Sequence, residues 1–287
     1  MSKELSLKEN GCEIWNNYLS KKTVDNIIEK ANYFFDKNLN LGAAVNVGSL
    51  KENELTTYGA ARKEVEQNNK NFYLKEQDFN KGVEFYRNLT NGISIKEPLL
   101  NINKISQIVS DENILNLVRE YLNEKKVYIG FIKLRRFFCN NLPDFDTNYF
   151  HFDDNSDKIL KCIIYLNDII TADDGSFVYV KNSHINPMPS KQEYIGKYAR
   201  TDDQIIEFYG KDSIVKVLGG KGTILFADTL GYHKGIKPKN RDRYILYVNY
   251  VLEEEYGGRG LKQKAPIHLM KNSNNKELFK FFSIVDN

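Results

Sequence analysis

The chain has 287 residues, 41% hydrophobic and 28% charged, a composition typical of a globular protein with a full core. Its 41 basic and 38 acidic residues are scattered, so the net charge of +3 indicates no basic patch for nucleic acid or an anionic membrane. Cys12, Cys139 and Cys162 are odd in number and far apart, which favours a reducing compartment over a disulfide scaffold. The N-terminus is polar and no apolar run approaches the roughly 18 residues of a membrane span. We therefore expect a cytoplasmic protein that binds neither nucleic acid nor membrane.

The first part of the sequence predicts helices. Residues 20–38 carry apolar side chains at helical spacing behind Ser20 or Thr23 as N-cap, and residues 110–124 do so behind Ser110 or Asp111. Helices are also predicted over 74–91 and 99–109. Residues 42–71 are polar and interrupted, so they are predicted to form either part of a substrate entrance or a solvated connection.

From residue 126 the pattern changes to short runs rich in Val, Ile, Tyr and Phe. Six runs predict strands: KVYIGFIKLRRFF, LKCIIYLND, SFVYVKN, SIVKVLG, GTILFAD and RYILYVNYV. Turn sequences separate them, which predicts an antiparallel barrel or sandwich. Residues 186–211 interrupt the series as an insertion over one mouth of the barrel, and a short helix is predicted near the C-terminus. The layout predicts one α+β domain, with a helical part over about 1–125, a β core over about 126–253 and an extension over 254–287.

The motif that organises the chain is YFHFDD, which contains His151 and Asp153. On an extended segment, residues two apart point to the same side, so both side chains can reach one metal ion. The simpler alternative is a solvent-facing ion pair at a strand end. His233, in TLGYHKG, follows another apolar strand and is the candidate third ligand. Two imidazoles and one carboxylate on one face of iron(II) leave open positions for a bidentate 2-oxo acid and dioxygen.

An arginine at the start of the last strand completes this candidate site. The guanidinium of Arg243 could hold a co-substrate carboxylate through two parallel hydrogen bonds. Arg241, two residues earlier, is the competitor. We favour Arg243 because it adjoins the apolar strand, whereas Arg241 lies in the preceding turn.

Residues 126–251 resemble the phytanoyl-CoA dioxygenase-like family of iron(II)/2-oxoglutarate oxygenases. The resemblance rests on FHFDD, on YLNDIITADDGSFVYVKNSH, and on GGKGTILFADTLGYHKG followed by NRDRYILYVNY. It implies a double-stranded β-helix (a jelly-roll, cupin-like fold) with N-terminal helices packed on it.

The same resemblance implies roles for individual residues. His151, Asp153 and His233 would be the catalytic iron ligands, and Arg243 would bind the distal carboxylate of 2-oxoglutarate. Lys133 and Tyr165 occupy positions from which some members help to bind this co-substrate. His184 ends the KNSH block and is expected to be structural. The family often has a hydroxyl residue two positions after the distal histidine, where this chain has glycine.

The predicted function is that of a hydroxylating dioxygenase that uses Fe(II), 2-oxoglutarate and O2 and releases succinate and CO2. The predicted substrate is a polar small molecule. Desaturation and epimerisation are alternative outcomes, and halogenation is disfavoured because Asp153 is present. A second hypothesis is a β-helix protein that binds a ligand or another metal without catalysis. The oligomeric state is not predicted.

Overall fold

The computed structural model describes residues 5–36, 41–43, 83–87, 91–95, 97–142, 144, 146–153, 159–189, 199–252, 263–271 and 273–286. Most of the loop predicted over 42–71 and much of the predicted helix over 74–91 lie outside these ranges. So does the middle of the insertion predicted over 186–211.

The helices of this part of the chain are mostly short. They are α1 (Leu7–Asn10), α2 (Lys21–Asp36), α3 (Val83–Arg87), α4 (Pro98–Asn101), α5 (Asn103–Val109), α6 (Glu112–Leu122), α7 (Asp202–Tyr209) and α8 (Ser273–Leu278). The two longest, α2 and α6, are the amphipathic helices predicted from sequence. Of the two caps proposed for α6, Asp111 is the N-cap, since its side chain accepts hydrogen bonds from the amides of Asn113 and Ile114.

The six predicted strands are confirmed, and further strands accompany them. The strands are β1 (Cys12–Trp15), β2 (Leu41–Ala43), β3 (Gly92–Ile95), β4 (Tyr128–Phe137), β5 (Ile159–Tyr165), β6 (Phe177–Val180), β7 (Ile214–Val217), β8 (Ile224–Asp228), β9 (His233–Gly235), β10 (Arg243–Val251), β11 (Lys264–Pro266) and β12 (Ser283–Val285).

These strands form two antiparallel sheets that matter for the site. The major sheet has the order β1-β8-β5-β10-β4-β3-β2, and the minor sheet has the order β7-β6-β9. Strands β11 and β12 pair separately and in parallel. The fold is therefore a largely antiparallel β structure with accompanying helices, in agreement with the predicted class.

Alternation along the strands divides the major sheet into two faces. One face carries Leu134, Cys162, Phe226 and Leu246, which belong to the same core cluster as buried residues of α2, α5 and α6. The opposite face carries Ile163 and Ile245, which pack with residues of the minor sheet such as Phe177 and Val217. A core therefore lies on each side of the major sheet.

The N-terminal part also contributes strands that the sequence analysis did not predict. Strands β1, β2 and β3 join the major sheet at its two ends. Strand β1 pairs with β8, and β3 pairs with β4. Segments of three or four residues are too short to show a period of two, and they gain order from edges that distant strands provide. Over the described residues, none of the helices is long and apolar enough to cross a membrane.

Candidate metal centre

Backbone pairing joins the two sequence motifs that carry the predicted metal ligands. The His151 amide donates to the His233 carbonyl at 3.0 Å, and the His233 amide donates to the His151 carbonyl at 2.8 Å. Two residues on, the Asp153 amide donates to the Thr229 carbonyl at 2.8 Å. The extended segment that contains the HxD motif therefore runs antiparallel to β9, which closes the gap of 82 residues.

The side chains of His151, Asp153 and His233 come together at one end of the cleft between the sheets. One potential ligand atom from each residue lies within 4.8 Å of those of the other two. Nε2 of His233 is 4.0 Å from Oδ1 of Asp153, and the two imidazole centroids are 4.4 Å apart. Two imidazoles and one carboxylate are a donor set that suits a divalent transition metal and leaves positions open. The residues present therefore fit a metal ion.

Local hydrogen bonds set the tautomer of both imidazoles. Nδ1 of His151 lies 2.9 Å from the carbonyl of Tyr149, and Nδ1 of His233 lies 2.9 Å from that of Gly231. A carbonyl only accepts, so each Nδ1 donates and each Nε2 presents its lone pair. Burial, and then the neighbouring His151, lower the pKa of His233 to about 3. His233 is therefore neutral near pH 7, as a metal ligand must be.

Asp153 is held as a carboxylate by a lysine that the sequence analysis did not single out. Burial alone would raise the pKa of Asp153, but Lys161 and the two imidazoles hold it well below its usual range. Nζ of Lys161 donates to Oδ2, so Oδ1 is the oxygen turned toward His233. The sequence did contain a signal for this role. Lys161 is a charged residue within the apolar run ILKCIIY, and it shares its strand face with Ile163.

Arg243, the first residue of β10, is buried in the same cleft and is only 2% exposed. Its Nη1 donates to the Gly175 carbonyl, and its guanidinium carbon lies 4.1 Å above the ring of Phe137. Its Nε has no hydrogen-bond partner, and no described acid forms an ion pair with it. Burial lowers the pKa of Arg243, but a guanidinium stays charged. A buried cation of this kind calls for an anion.

The competing arginine lies elsewhere. Arg241 is largely exposed, donates to the Asp168 carbonyl at 3.0 Å and lies 3.9 Å from a carboxylate oxygen of Asp174.

The glycine that replaces the family's hydroxyl residue has a steric consequence. A Cβ on Gly235 would lie 3.3 Å from Nη2 of Arg243, so its absence makes room for the guanidinium.

The two other predicted co-substrate residues are placed differently from each other. Lys133 lines the cleft and stands directly opposite Tyr247 in the register of β4 and β10. It is open to solvent within a concave site, where the surrounding protein, Arg135 and Lys161 lower its pKa to about 8.

Tyr165 is buried and is not one of the described residues that line the cleft. Its hydroxyl donates to the Val217 carbonyl and accepts from the Phe177 amide, which links the two sheets. This arrangement favours a structural role, and its predicted contact with a co-substrate stays a prediction. His184 also lies outside the cleft, close to Gly11.

No protein-family model and no curated protein match the sequence. Solved structures do match the fold. HygX from Streptomyces hygroscopicus, with nickel, 2-oxoglutarate and hygromycin B bound, is 13% identical over 86% of this chain and 85% of its own, with a TM-score of 0.54. SnoN, a non-heme alpha-ketoglutarate-dependent epimerase from nogalamycin biosynthesis, is 11% identical over 90% and 89%, with a TM-score of 0.55. SnoK, a carbocyclase that depends on the same co-substrate, is 13% identical over 85% and 81%, at 0.51. At these identities the likeness establishes a shared fold.

Proposed function

We propose that this protein is an iron(II)- and 2-oxoglutarate-dependent dioxygenase of the phytanoyl-CoA dioxygenase-like kind. In this proposal the two sheets form a double-stranded β-helix within a single domain of a cytoplasmic protein. His151, Asp153 and His233 hold the iron, and Arg243 holds the distal carboxylate of 2-oxoglutarate. HygX and SnoN, which share the fold, are described with 2-oxoglutarate bound or as dependent on it, and this supports the assignment.

The main support for the proposal is that one cleft contains both a candidate metal site and a buried cation. The cleft contains a three-ligand metal face and the buried cation of Arg243, which has no counter-ion among the described residues. A 2-oxo dicarboxylate satisfies both, because one end chelates a metal and the other accepts two hydrogen bonds from a guanidinium. A metal store would leave Arg243 unexplained.

Bound iron and 2-oxoglutarate would supply an oxidant from O2, with release of succinate and CO2. The protein positions the ligands and excludes water. Phe177 stacks on His233 with ring centroids 5.4 Å apart, and Phe137 covers the guanidinium of Arg243. Lys161 occupies one oxygen of Asp153, which leaves the other for the metal and keeps further coordination positions open.

The proposed outcome is hydroxylation of a small molecule. The carboxylate ligand Asp153 argues against halogenation, which would need that position vacated. Because structures with this fold include an epimerase and a carbocyclase, the fold alone does not select the outcome. The substrate's reactive C–H bond and its placement in the cleft decide it.

The test is a thermal-shift titration of metal-stripped protein with Mn(II) and 2-oxoglutarate, followed by an assay of iron-dependent succinate release. A ligand at about a hundred times its Kd stabilises the native state by roughly 2.7 kcal/mol. We expect 2-oxoglutarate to stabilise only the metal-loaded protein, and Asp153→Ala to abolish the metal effect. If 2-oxoglutarate leaves the metal-loaded protein unchanged, the oxygenase proposal is wrong and the binding-protein hypothesis replaces it.

A further inference from the structure

The cleft around the metal face has an excess of positive charge. Its described lining residues include four basic side chains and a single acidic one, Asp153. The basic residues are Lys133, Arg135, Lys161 and Arg243. A concave site lined by one sign of charge concentrates ligands of the opposite sign.

The proposed cofactors account for only part of this charge. Lys161 is committed to Asp153, and Arg243 to the distal carboxylate of 2-oxoglutarate. The charge of Lys133 therefore stays uncompensated by the proposed cofactors. This step rests on the proposed function.

Lys133 is positioned to meet a second ligand. It stands opposite Tyr247, whereas Arg243 stands opposite Phe137, four residues further along β4. At about 3.3 Å per residue their backbone positions are roughly 13 Å apart along the sheet. The two cations thus lie at separate levels of the cleft.

In the described part of the chain, no carboxylate forms an ion pair with the amine of Lys133. The charged groups that act on it are Arg135 and Lys161, both positive. Other lysines near the site are paired, as Lys234 is with Asp202 at 2.5 Å. Like charges facing one another cost free energy, and an anion between them relieves that cost.

Aromatic side chains accompany this amine in the lining of the cleft. Phe131, Phe137, Phe177 and Tyr247 line the same cleft. They offer apolar surface to the body of a ligand while the cation binds its charged end. We propose that the primary substrate is an organic anion with an apolar body, whose carboxylate or phosphate monoester is bound by Lys133.

The experiment measures probe binding to the full chain loaded with Mn(II) and 2-oxoglutarate, conditions without iron-dependent turnover. The probes are 3-phenylpropionate, phenyl phosphate and the neutral 3-phenylpropionamide. Paramagnetic relaxation of probe protons by Mn(II) reports both the affinity and proximity to the metal. We expect at least one anion to bind near the metal at least tenfold more tightly than the amide. The anion that binds identifies carboxylate or phosphate as the preferred group.

Variants assign the charge to Lys133. We expect Lys133→Met to weaken anion binding about tenfold or more, Lys133→Arg to retain it, and both to keep the wild-type affinity for 2-oxoglutarate. Lys216→Met, which changes an exposed lysine on β7, is the matched control and should have no effect.

Three results would overturn the proposal. Equal binding of amide and anions would show that the cleft does not select charge. Weakened binding of 2-oxoglutarate in Lys133→Met, with anion binding intact, would place Lys133 in the co-substrate site. If wild type binds neither Mn(II) nor 2-oxoglutarate, the proposed function fails and this proposal fails with it.

Discussion

Replacement of Arg243 by methionine should have opposite effects on stability and on co-substrate binding. Arg243 is only 2% exposed, and its buried Nε has no hydrogen-bond partner. Replacing a buried, uncompensated charge by an apolar side chain of similar length is often neutral or stabilising. We therefore expect the free energy of unfolding of the metal-free protein to stay the same or rise.

Binding of 2-oxoglutarate should weaken in the same Arg243→Met variant. Hydrogen bonds between charged groups contribute about 1.5–3 kcal/mol, so losing this interaction raises the Kd roughly 10- to 150-fold. At a concentration one hundred times the wild-type Kd, the ligand stabilises wild type by about 2.7 kcal/mol. After a hundredfold loss of affinity the same concentration gives only about 0.4 kcal/mol.

The assay is urea denaturation of Mn(II)-loaded protein with and without 2-oxoglutarate, beside calorimetric measurement of the Kd. Arg241→Met is the matched control, because it removes the same charge from the exposed arginine two residues earlier. The reasoning is refuted if Arg243→Met binds 2-oxoglutarate like wild type, or if the control variant is the one that loses binding.

Three other changes test particular contacts. Gly235→Ala places a Cβ about 3.3 Å from Nη2 of Arg243, so we expect weaker 2-oxoglutarate binding with unchanged Mn(II) affinity, measured by calorimetry; equal affinities would contradict it. Lys161→Met leaves Asp153 without its partner, so the metal-free protein should lose about 1–3 kcal/mol of stability, the pair being partly exposed. Mn(II) should restore part of this loss in urea denaturation, and Lys161→Arg should behave like wild type. Burial alone would raise the pKa of Asp242, but two arginines lower it. The contribution of Asp242 to stability is therefore present above the unfolded pKa of about 3.9. It is lost as the pH falls through the lower pKa of the folded state. Asp242→Asn should flatten that acid dependence, and an unchanged slope would refute the assignment.

Several elements follow from local sequence pattern. The helix α2 was predictable because Val24, Ile27, Ala31 and Phe35 recur at helical spacing, and these residues are buried. Strands such as β10 were predictable from continuous runs of β-branched and aromatic residues. A helix was predicted over NNKELFKFFSIV near the C-terminus. It is present as α8, which ends at Leu278, and the chain returns to β structure at β12.

Other elements depended on partners distant in sequence. Strands β1 and β3 carry no periodic signal over four residues and are ordered by pairing with β8 and β4. Strand parity puts Ile163 and Tyr165 on one face, but only the packing of the minor sheet identifies that face as the inner one.

For the candidate site, the sequence alone determined the chemistry of the groups. The spacing of His151 and Asp153 follows from the alternation of an extended chain, and each histidine tautomer is set by a carbonyl two residues earlier. The tertiary structure decided which groups meet. Backbone pairing brings His233 to the HxD segment, and packing between the sheets buries Arg243 while leaving Arg241 exposed. Such outcomes depend on register and burial, which are properties of the assembled sheets and which no local stretch of sequence encodes.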